Sequence, residues 1–159
     1  MLTRRLLLGS SLTALAVAAG LPRWASAAEA FAVTHTEAEW RKLLSPDQFA
    51  VLRQSATERP GTSPLMEEHR RGTFTCAGCD LDLFSSSTKF ESGTGWPSFY
   101  APLAKAVGEE KDTTLGMVRI AVHCSRCGGH LGHVFDDGPK PTGLRYCMNG
   151  VALKFKPAA

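Results

Sequence analysis

Four of the five cysteines in this chain of 159 residues form two Cys-x-x-Cys pairs, a spacing typical of metal binding. The pairs are Cys76 with Cys79 and Cys124 with Cys127. Each pair of thiolates can bind one side of a tetrahedral zinc ion, and four sulfur ligands leave no open position for catalysis. Two disulfides are the alternative in an oxidising compartment, but a bridge across so short a loop is strained. The sequence therefore predicts one structural zinc ion that joins two distant hairpins.

The fifth cysteine, Cys147, has neighbours that favour a reactive thiolate. Arg145 lies two residues before it, on the same face of a predicted strand, where a cation stabilises the thiolate. Asn149 lies two residues after it and offers a hydrogen-bond donor. His130 and His133 supply imidazoles suited to proton transfer near neutral pH. These histidines could instead be zinc ligands or core residues, but four cysteines already complete a tetrahedral site.

Two short helices are predicted before the first cysteine pair. Thr36 and Glu39 form one capping box, and Ser45 and Gln48 form a second, with Pro46 at the first helical position. We interpret both helices as a structural cover. Their apolar faces are predicted to be Trp40, Leu43 and Leu44 in the first helix, and Phe49, Val51 and Leu52 in the second.

The rest of the chain has the pattern of antiparallel β-sheet. Short apolar or β-prone runs alternate there with Gly, Pro and Ser. The predicted fold is therefore mainly β, with antiparallel sheets after the two short helices. The runs are residues 72–75, 81–84, 116–122, 134–135 and 145–155, and the strongest strands among them are 117–122 and 151–155.

Residues 1–27 have the features of an export signal, which leaves residues 28–159 as the mature domain. Arg4 and Arg5 precede an apolar run, and a small-residue cleavage site ends at Ala27. The paired arginines resemble a twin-arginine signal, with an ordinary Sec signal as the alternative. The apolar run is short and contains glycine, so no stable membrane anchor is expected. We therefore expect a periplasmic protein.

The charge balance argues against a nucleic-acid partner. The chain has 18 Lys and Arg against 15 Asp and Glu, but Arg4, Arg5 and Arg23 lie in the export signal. Without these three arginines the domain has 15 charged residues of each sign, and it lacks the basic excess of nucleic-acid binders. A zinc-ribbon binding module and a periplasmic thiol–disulfide oxidoreductase are the alternative functional classes. The setting of Cys147 argues against the first, and zinc on four thiolates would exclude the second.

Three intact motifs make the chain similar to the B-type methionine sulfoxide reductases, which act on the R epimer of methionine sulfoxide. The resemblance covers roughly residues 36–156. It implies two antiparallel sheets with helices at the N-terminus, and one zinc ion at the four cysteines. The motifs are Gly95-Trp96-Pro97-Ser98-Phe99, the segment 124–139 with both histidines, and the segment 142–150 around Cys147.

The resemblance also implies a catalytic group. Cys147 would be the nucleophile that attacks the sulfoxide sulfur and becomes a sulfenic acid. His130, His133 and Asn149 would hold the sulfoxide oxygen and bound water, and a histidine would protonate the oxygen as it leaves.

Substrate binding is predicted to involve Trp96 and Arg145. In the family this tryptophan packs against the methyl group of the substrate. Methionine sulfoxide has an apolar methyl group and a polar oxygen, so its site needs an aromatic wall on one side and donors on the other. The expected substrates are oxidised proteins, which the enzyme would repair, and a monomer is expected.

Thr94 departs from the pattern of many family members, which carry a resolving cysteine just before Gly-Trp-Pro. With the other four cysteines committed to zinc, no obvious intramolecular disulfide can form with Cys147. Regeneration is therefore expected from a thioredoxin-like protein or a small thiol. Exchange with a zinc cysteine is the alternative.

Overall fold

The computed structural model describes residues 31–159, and the predicted export signal at residues 1–27 lies outside this range. The described residues contain two short α-helices followed by nine β-strands in two antiparallel sheets. The predicted fold class, mainly β with N-terminal helices, is confirmed. Among residues 31–159, no helix is both long and apolar enough to cross a membrane.

The two helices begin at the predicted capping boxes. Helix α1 spans Glu37–Leu43 and helix α2 spans Pro46–Gln54, and each N-cap side chain accepts from the backbone N–H three residues later. Trp40 and Leu44 are buried, whereas Leu43 is 61% exposed, so its predicted burial was wrong. Because α1 ends at Leu43, the extended Leu44 enters the core instead.

The strands form a three-stranded sheet with the order β2-β1-β9 and a six-stranded sheet with the order β3-β4-β8-β7-β6-β5. In chain order they are β1 (Gly72–Cys76), β2 (Asp82–Ser85), β3 (Lys89–Phe90), β4 (Ser98–Phe99), β5 (Val107–Asp112), β6 (Arg119–Cys124), β7 (His130–Phe135), β8 (Arg145–Met148) and β9 (Leu153–Pro157).

The sheets differ from the sequence prediction at several strands. Strands β3 and β4 lie outside the predicted runs, and β7 begins at His130 rather than at residue 134. Strand β5 was missed because Val-Gly-Glu-Glu-Lys-Asp is too charged to resemble a buried strand; it is the edge strand of the larger sheet. The run 145–155 is two strands, not one. A 3-10 turn at Gly150–Ala152 separates β8 from β9, and the chain changes sheet there.

Aromatic side chains between the two sheets form the centre of the core. Phe84 of the smaller sheet stacks on Phe99 of the larger sheet, with ring centroids 4.4 Å apart. Phe74 meets Phe99 edge-on at 4.9 Å. All three rings are fully buried. This packing fixes the relative position of the sheets, and therefore of the cysteine pairs that lie on them.

Candidate active site and zinc centre

The two cysteine pairs meet where the two sheets approach each other. Cys76 ends β1 of the smaller sheet and Cys124 ends β6 of the larger sheet. The four sulfur atoms lie within 4.8 Å of one another. The Sγ atoms of Cys76 and Cys127 are 3.7 Å apart, and those of Cys79 and Cys124 are 3.5 Å apart. Tetrahedral zinc with bonds of about 2.3 Å to sulfur holds its ligands about 3.8 Å apart, so this cluster fits zinc.

The protonation of these thiols also fits a cation site. All five cysteines of the chain are free, so neither pair forms a disulfide. Hydrogen bonds to Cys124 and Cys127 raise the pKa of the Cys76 thiol, whereas hydrogen bonds from Cys124 and Cys76 lower that of Cys127 to about 4. Ionisation of one sulfur thus opposes ionisation of its neighbours, because adjacent thiolates repel one another. A divalent cation would remove this repulsion.

Helix α2 packs directly against the cysteine cluster. Both terminal nitrogens of Arg53 donate to the carbonyl of Cys127, at 3.1 Å each. The same guanidinium lies 4.6 Å from the ring centroid of Trp40, a cation–π contact that joins α1 to this point. The two helices therefore cover the cluster.

Cys147 lies in the middle of the larger sheet. It is directly opposite Ser98 of β4 on one side and His133 of β7 on the other, and residues paired in this way share a face of the sheet. Cys147 is half-buried, and it lines a cavity of about 140 Å³ together with Trp96, His133 and Asn149. The fold thus brings together four residues that the sequence analysis selected.

His133 is held by an acidic residue that the sequence analysis missed. Its Nε2 lies 2.8 Å from the Oδ2 of Asp112, which closes β5. Hydrogen bonds from Thr114 and His133 hold the pKa of Asp112 well below its usual range, so this carboxyl is ionised. Because a carboxylate only accepts hydrogen bonds, the His133 hydrogen resides on Nε2, and Asp112 orients the imidazole. No motif marks Asp112, since it lies on the unpredicted edge strand.

His130 does not line the cavity that holds Cys147. It is 7% exposed, and its ring lies edge-on to His133 at 5.3 Å. It lines an adjacent cavity together with His133 and Asp112. Burial lowers the pKa of His130 to about 4, so this imidazole is neutral at pH 7. Of the two histidines, His133 is therefore the one directly beside the thiol.

Arg145 is buried beside Cys147, but its guanidinium faces Asp137. Its Nε and Nη2 donate to the two carboxylate oxygens at 2.8 Å each, and its Cζ lies 4.4 Å from the ring centroid of Phe135. The pKa of Arg145 is raised, chiefly by Asp137 and to a smaller extent by Cys147. Arg145 is thus a fixed cation near the thiol, and it is not among the residues that line the cavity.

A loop after α2 forms a wall of the same cavity. Thr57 lines the cavity. The backbone of the next residue, Glu58, forms hydrogen bonds with two side chains that were predicted to belong to the site. The Nε1 of Trp96 donates to the Glu58 carbonyl at 3.1 Å, and the Glu58 N–H donates to the Oδ1 of Asn149 at 2.9 Å. The Nδ2 of Asn149 donates to the Leu131 carbonyl at 3.0 Å. The sequence carries no signal for these contacts, because they join residues far apart in the chain.

Thr94 lies against Cys147. Its Oγ1 is 3.7 Å from the Sγ of Cys147. Hydroxyl contacts continue from Thr94 to Ser92 at 2.8 Å and from Ser92 to Ser98 at 2.7 Å. Position 94 therefore adjoins Cys147 directly.

Comparison with known proteins identifies the class of protein to which this site belongs. Residues 44–157 match the family model of the SelR domain. A protein of Thiobacillus denitrificans named peptide methionine sulfoxide reductase MsrB is 58% identical over 123 residues, which are 77% of this chain and 93% of that protein. Proteins of the same name from Bradyrhizobium diazoefficiens and Methanosarcina barkeri are 56% and 57% identical over 126 residues. These alignments cover 79% of this chain and 91% and 89% of those proteins. The chain therefore belongs to the MsrB family, as its motifs predicted.

Proposed function

We propose that this protein reduces protein-bound methionine-R-sulfoxide to methionine, with Cys147 as the nucleophile. The observation that carries the proposal is the cavity in which a half-buried thiol adjoins an indole, an imidazole and an amide. Trp96 offers an aromatic wall for the substrate methyl group, and His133 and Asn149 offer polar groups for the oxygen. Membership of the MsrB family supports the same reaction.

In the proposed reaction the Cys147 thiolate attacks the sulfoxide sulfur. His133 can give a proton to the departing oxygen when it is an imidazolium, because it then carries a second hydrogen on Nδ1 while its Nε2 hydrogen stays hydrogen-bonded to Asp112. The second hydrogen on the Nδ2 of Asn149 is available to the sulfoxide oxygen, because the first is donated to Leu131.

The departing oxygen takes up two protons and leaves as water, while a sulfur–sulfur bond forms between Cys147 and the substrate. A second water then attacks the Cys147 sulfur, breaks that bond and releases one proton. The products are methionine and a sulfenic acid on Cys147, and two electrons have passed from the cysteine sulfur to the sulfoxide sulfur.

The four-cysteine site has a structural part in this proposal. Cys76, Cys79, Cys124 and Cys127 would hold one zinc ion, which has no open coordination position and takes no part in the reaction. The site joins the two sheets. The β7 strand that carries His133 begins three residues after Cys127.

The direct test is stereospecific turnover. A peptide that contains one methionine sulfoxide, resolved into its R and S forms, is incubated with the protein and dithiothreitol. We expect complete conversion of the R form to methionine and no conversion of the S form, measured by reversed-phase chromatography. Equal rates on both forms, or no turnover by folded protein that contains zinc, would refute the proposal. Reduction of a disulfide substrate instead would favour a thiol–disulfide oxidoreductase.

We further propose that an external thiol, from a thioredoxin-like protein or a small molecule, regenerates Cys147. A single turnover without reductant should leave a sulfenic acid, because Thr94 supplies a hydroxyl where a resolving thiol would stand. Dimedone should trap this sulfenic acid, and mass spectrometry should find the adduct on Cys147 with zinc retained. Thr94→Cys should give a disulfide between the introduced thiol and Cys147, with little adduct, because the present Oγ1 lies 3.7 Å from the sulfur.

The matched control for this prediction is Thr94→Ser, which keeps a hydroxyl and should still give the dimedone adduct. A disulfide between Cys147 and one of the zinc cysteines, with release of zinc, would contradict the external route. It would show that a cysteine of the metal site resolves the sulfenic acid.

We also propose that the protein is exported to the periplasm and cleaved near Ala27. The arginine pair, the apolar run and the small-residue cleavage site support this location. N-terminal sequencing of the periplasmic protein should begin near Ala28. Replacing Arg4 and Arg5 by lysine should block export by the twin-arginine route, and unimpaired export would indicate the Sec route.

A further inference from the structure

Each polar group of Glu58 forms a hydrogen bond with a residue in or next to the candidate active site. Its N–H and carbonyl bind Asn149 and Trp96, as described above. Its two carboxylate oxygens accept hydrogen bonds from the backbone N–H groups of Gly150 and Val151, the latter at 3.0 Å. One residue of the loop after α2 thus contacts the aromatic wall, the amide and the turn that follows the nucleophile strand.

The carboxylate replaces a missing N-cap. Gly150–Ala152 forms a 3-10 turn, and its N-cap residue, Asn149, makes no side-chain cap hydrogen bond. Asparagine is among the best N-cap residues, but here its amide is turned toward Glu58 and Leu131. The first N–H groups of the turn consequently need another acceptor, and Glu58 provides it. Because Glu58 accepts from these N–H groups, the side chain of Asn149 is not needed as a cap, and it lines the cavity.

Close packing keeps this loop in place. The Gly61 N–H donates to the Gly95 carbonyl at 2.7 Å, one residue before Trp96. A Cβ atom on Gly95 would lie 2.8 Å from the Cβ of Pro60, so the loop lies directly on the Gly95 backbone. A Cβ atom on Gly150 would likewise collide with Ser63. The loop after α2 is thus fitted between the Trp96 segment and the turn after β8.

We propose that Glu58 is a positioning residue, whose carboxylate orients both Trp96 and Asn149 by fixing the loop against the Gly150–Ala152 turn. Charge-assisted hydrogen bonds to backbone N–H groups are stronger than neutral ones, so the carboxylate is the strongest polar link between the two segments. The expected effect of Glu58 on turnover rests on the function proposed above, whereas its expected effect on the position of Trp96 does not.

The test compares Glu58→Gln and Glu58→Asp with the full-length wild-type protein. Glutamine has the size of glutamate but presents an amide nitrogen to one of the two backbone N–H groups, which leaves that donor unsatisfied. We expect Glu58→Gln to lower kcat/KM for the R-sulfoxide peptide by about tenfold or more, since a lost hydrogen bond to a charged group has an effect of this order. Glu58→Asp, which retains the charge, should recover part of the loss.

A local readout separates positioning from general destabilisation. In Glu58→Gln, the indole N–H of Trp96 should exchange with solvent deuterium several times faster, as measured by NMR, whereas that of the buried Trp40 should not change. The matched control is Glu39→Gln, which alters a carboxylate bound to a backbone N–H at the capping box of α1. This control should leave the Trp96 exchange rate and kcat/KM at their wild-type values.

Three outcomes would overturn the inference. They are unchanged Trp96 exchange in Glu58→Gln, equal acceleration at Trp96 and Trp40, and a loss of kcat/KM in Glu58→Asp as large as in Glu58→Gln. If the wild-type protein reduces no sulfoxide, the proposed function fails, and the exchange rates still decide whether Glu58 positions Trp96. If Glu58→Gln does not fold, the exchange rates of Glu58→Asp decide the question.

Discussion

Replacing Cys147 by serine is expected to lower the turnover of methionine-R-sulfoxide by about four orders of magnitude or more. A serine hydroxyl remains protonated at neutral pH and is a poor nucleophile toward sulfur, and it cannot become a sulfenic acid. The remaining groups of the cavity can bind the substrate but cannot supply the two electrons that reduce its sulfur. Steady-state kinetics with dithiothreitol measures the loss, and dimedone labelling should disappear in the same variant.

The Cys147→Ser variant should keep its fold and its metal. Oxygen is smaller than sulfur, and the side chain lies half-buried at the cavity between Ser98 and His133, so the substitution neither overpacks nor leaves a large void. Zinc content and the midpoint of thermal unfolding should therefore remain close to wild type. Ser87→Ala, which removes an exposed hydroxyl outside the cavity, serves as the matched control for activity. Activity retained in Cys147→Ser would assign the reaction to another thiol.

Loss of the zinc site is expected to have the largest effect on stability. Cys124→Ser removes one of the four sulfur ligands from a fully buried position. Structural zinc sites contribute about 10–16 kcal/mol of apparent binding free energy, which equals or exceeds the total stability of a typical domain. The protein should therefore lose zinc and become insoluble, or unfold far below the wild-type temperature. Elemental analysis and circular dichroism measure the two effects.

The position of the cysteines explains why the loss of stability should affect the whole domain. Cys76 belongs to the three-stranded sheet and Cys124 to the six-stranded sheet, so zinc would bridge the two layers that enclose the core. Cys147→Ser is the matched control, since it also removes a thiol but leaves the four ligands in place. A soluble Cys124→Ser protein that lacks zinc and unfolds cooperatively near the wild-type temperature would contradict a structural role of the metal.

The features that the sequence determined by itself are local ones. The capping boxes at Thr36 and Ser45 predicted where both helices begin, because each depends on residues within one turn. The spacing within each cysteine pair likewise made a four-ligand cluster predictable, and the motif around Cys147 predicted the family. Each capping box, each cysteine pair and the Cys147 motif lies within a short segment, so each can be recognised without knowledge of the tertiary structure.

The tertiary structure alone decided how the site is supported. Sequence spacing treats His130 and His133 alike, but strand register pairs His133 with Cys147 and places Asp112 beside its ring. The position of Asp112 depends on β5, a charged edge strand whose pairing is stabilised by its neighbour rather than by an apolar pattern of its own.

The role of Glu58 was also missed, because its contacts join residues far apart in the chain. Its hydrogen bonds to Gly150 and Val151 span 92 and 93 positions of the chain. Nothing in the sequence of this turn indicates that its N–H groups donate to a residue so far away. Local patterns therefore identified the candidate reactive groups of this protein. Only the packing of the loop after α2 against the larger sheet shows what holds those groups in position, because such contacts are set by the whole core.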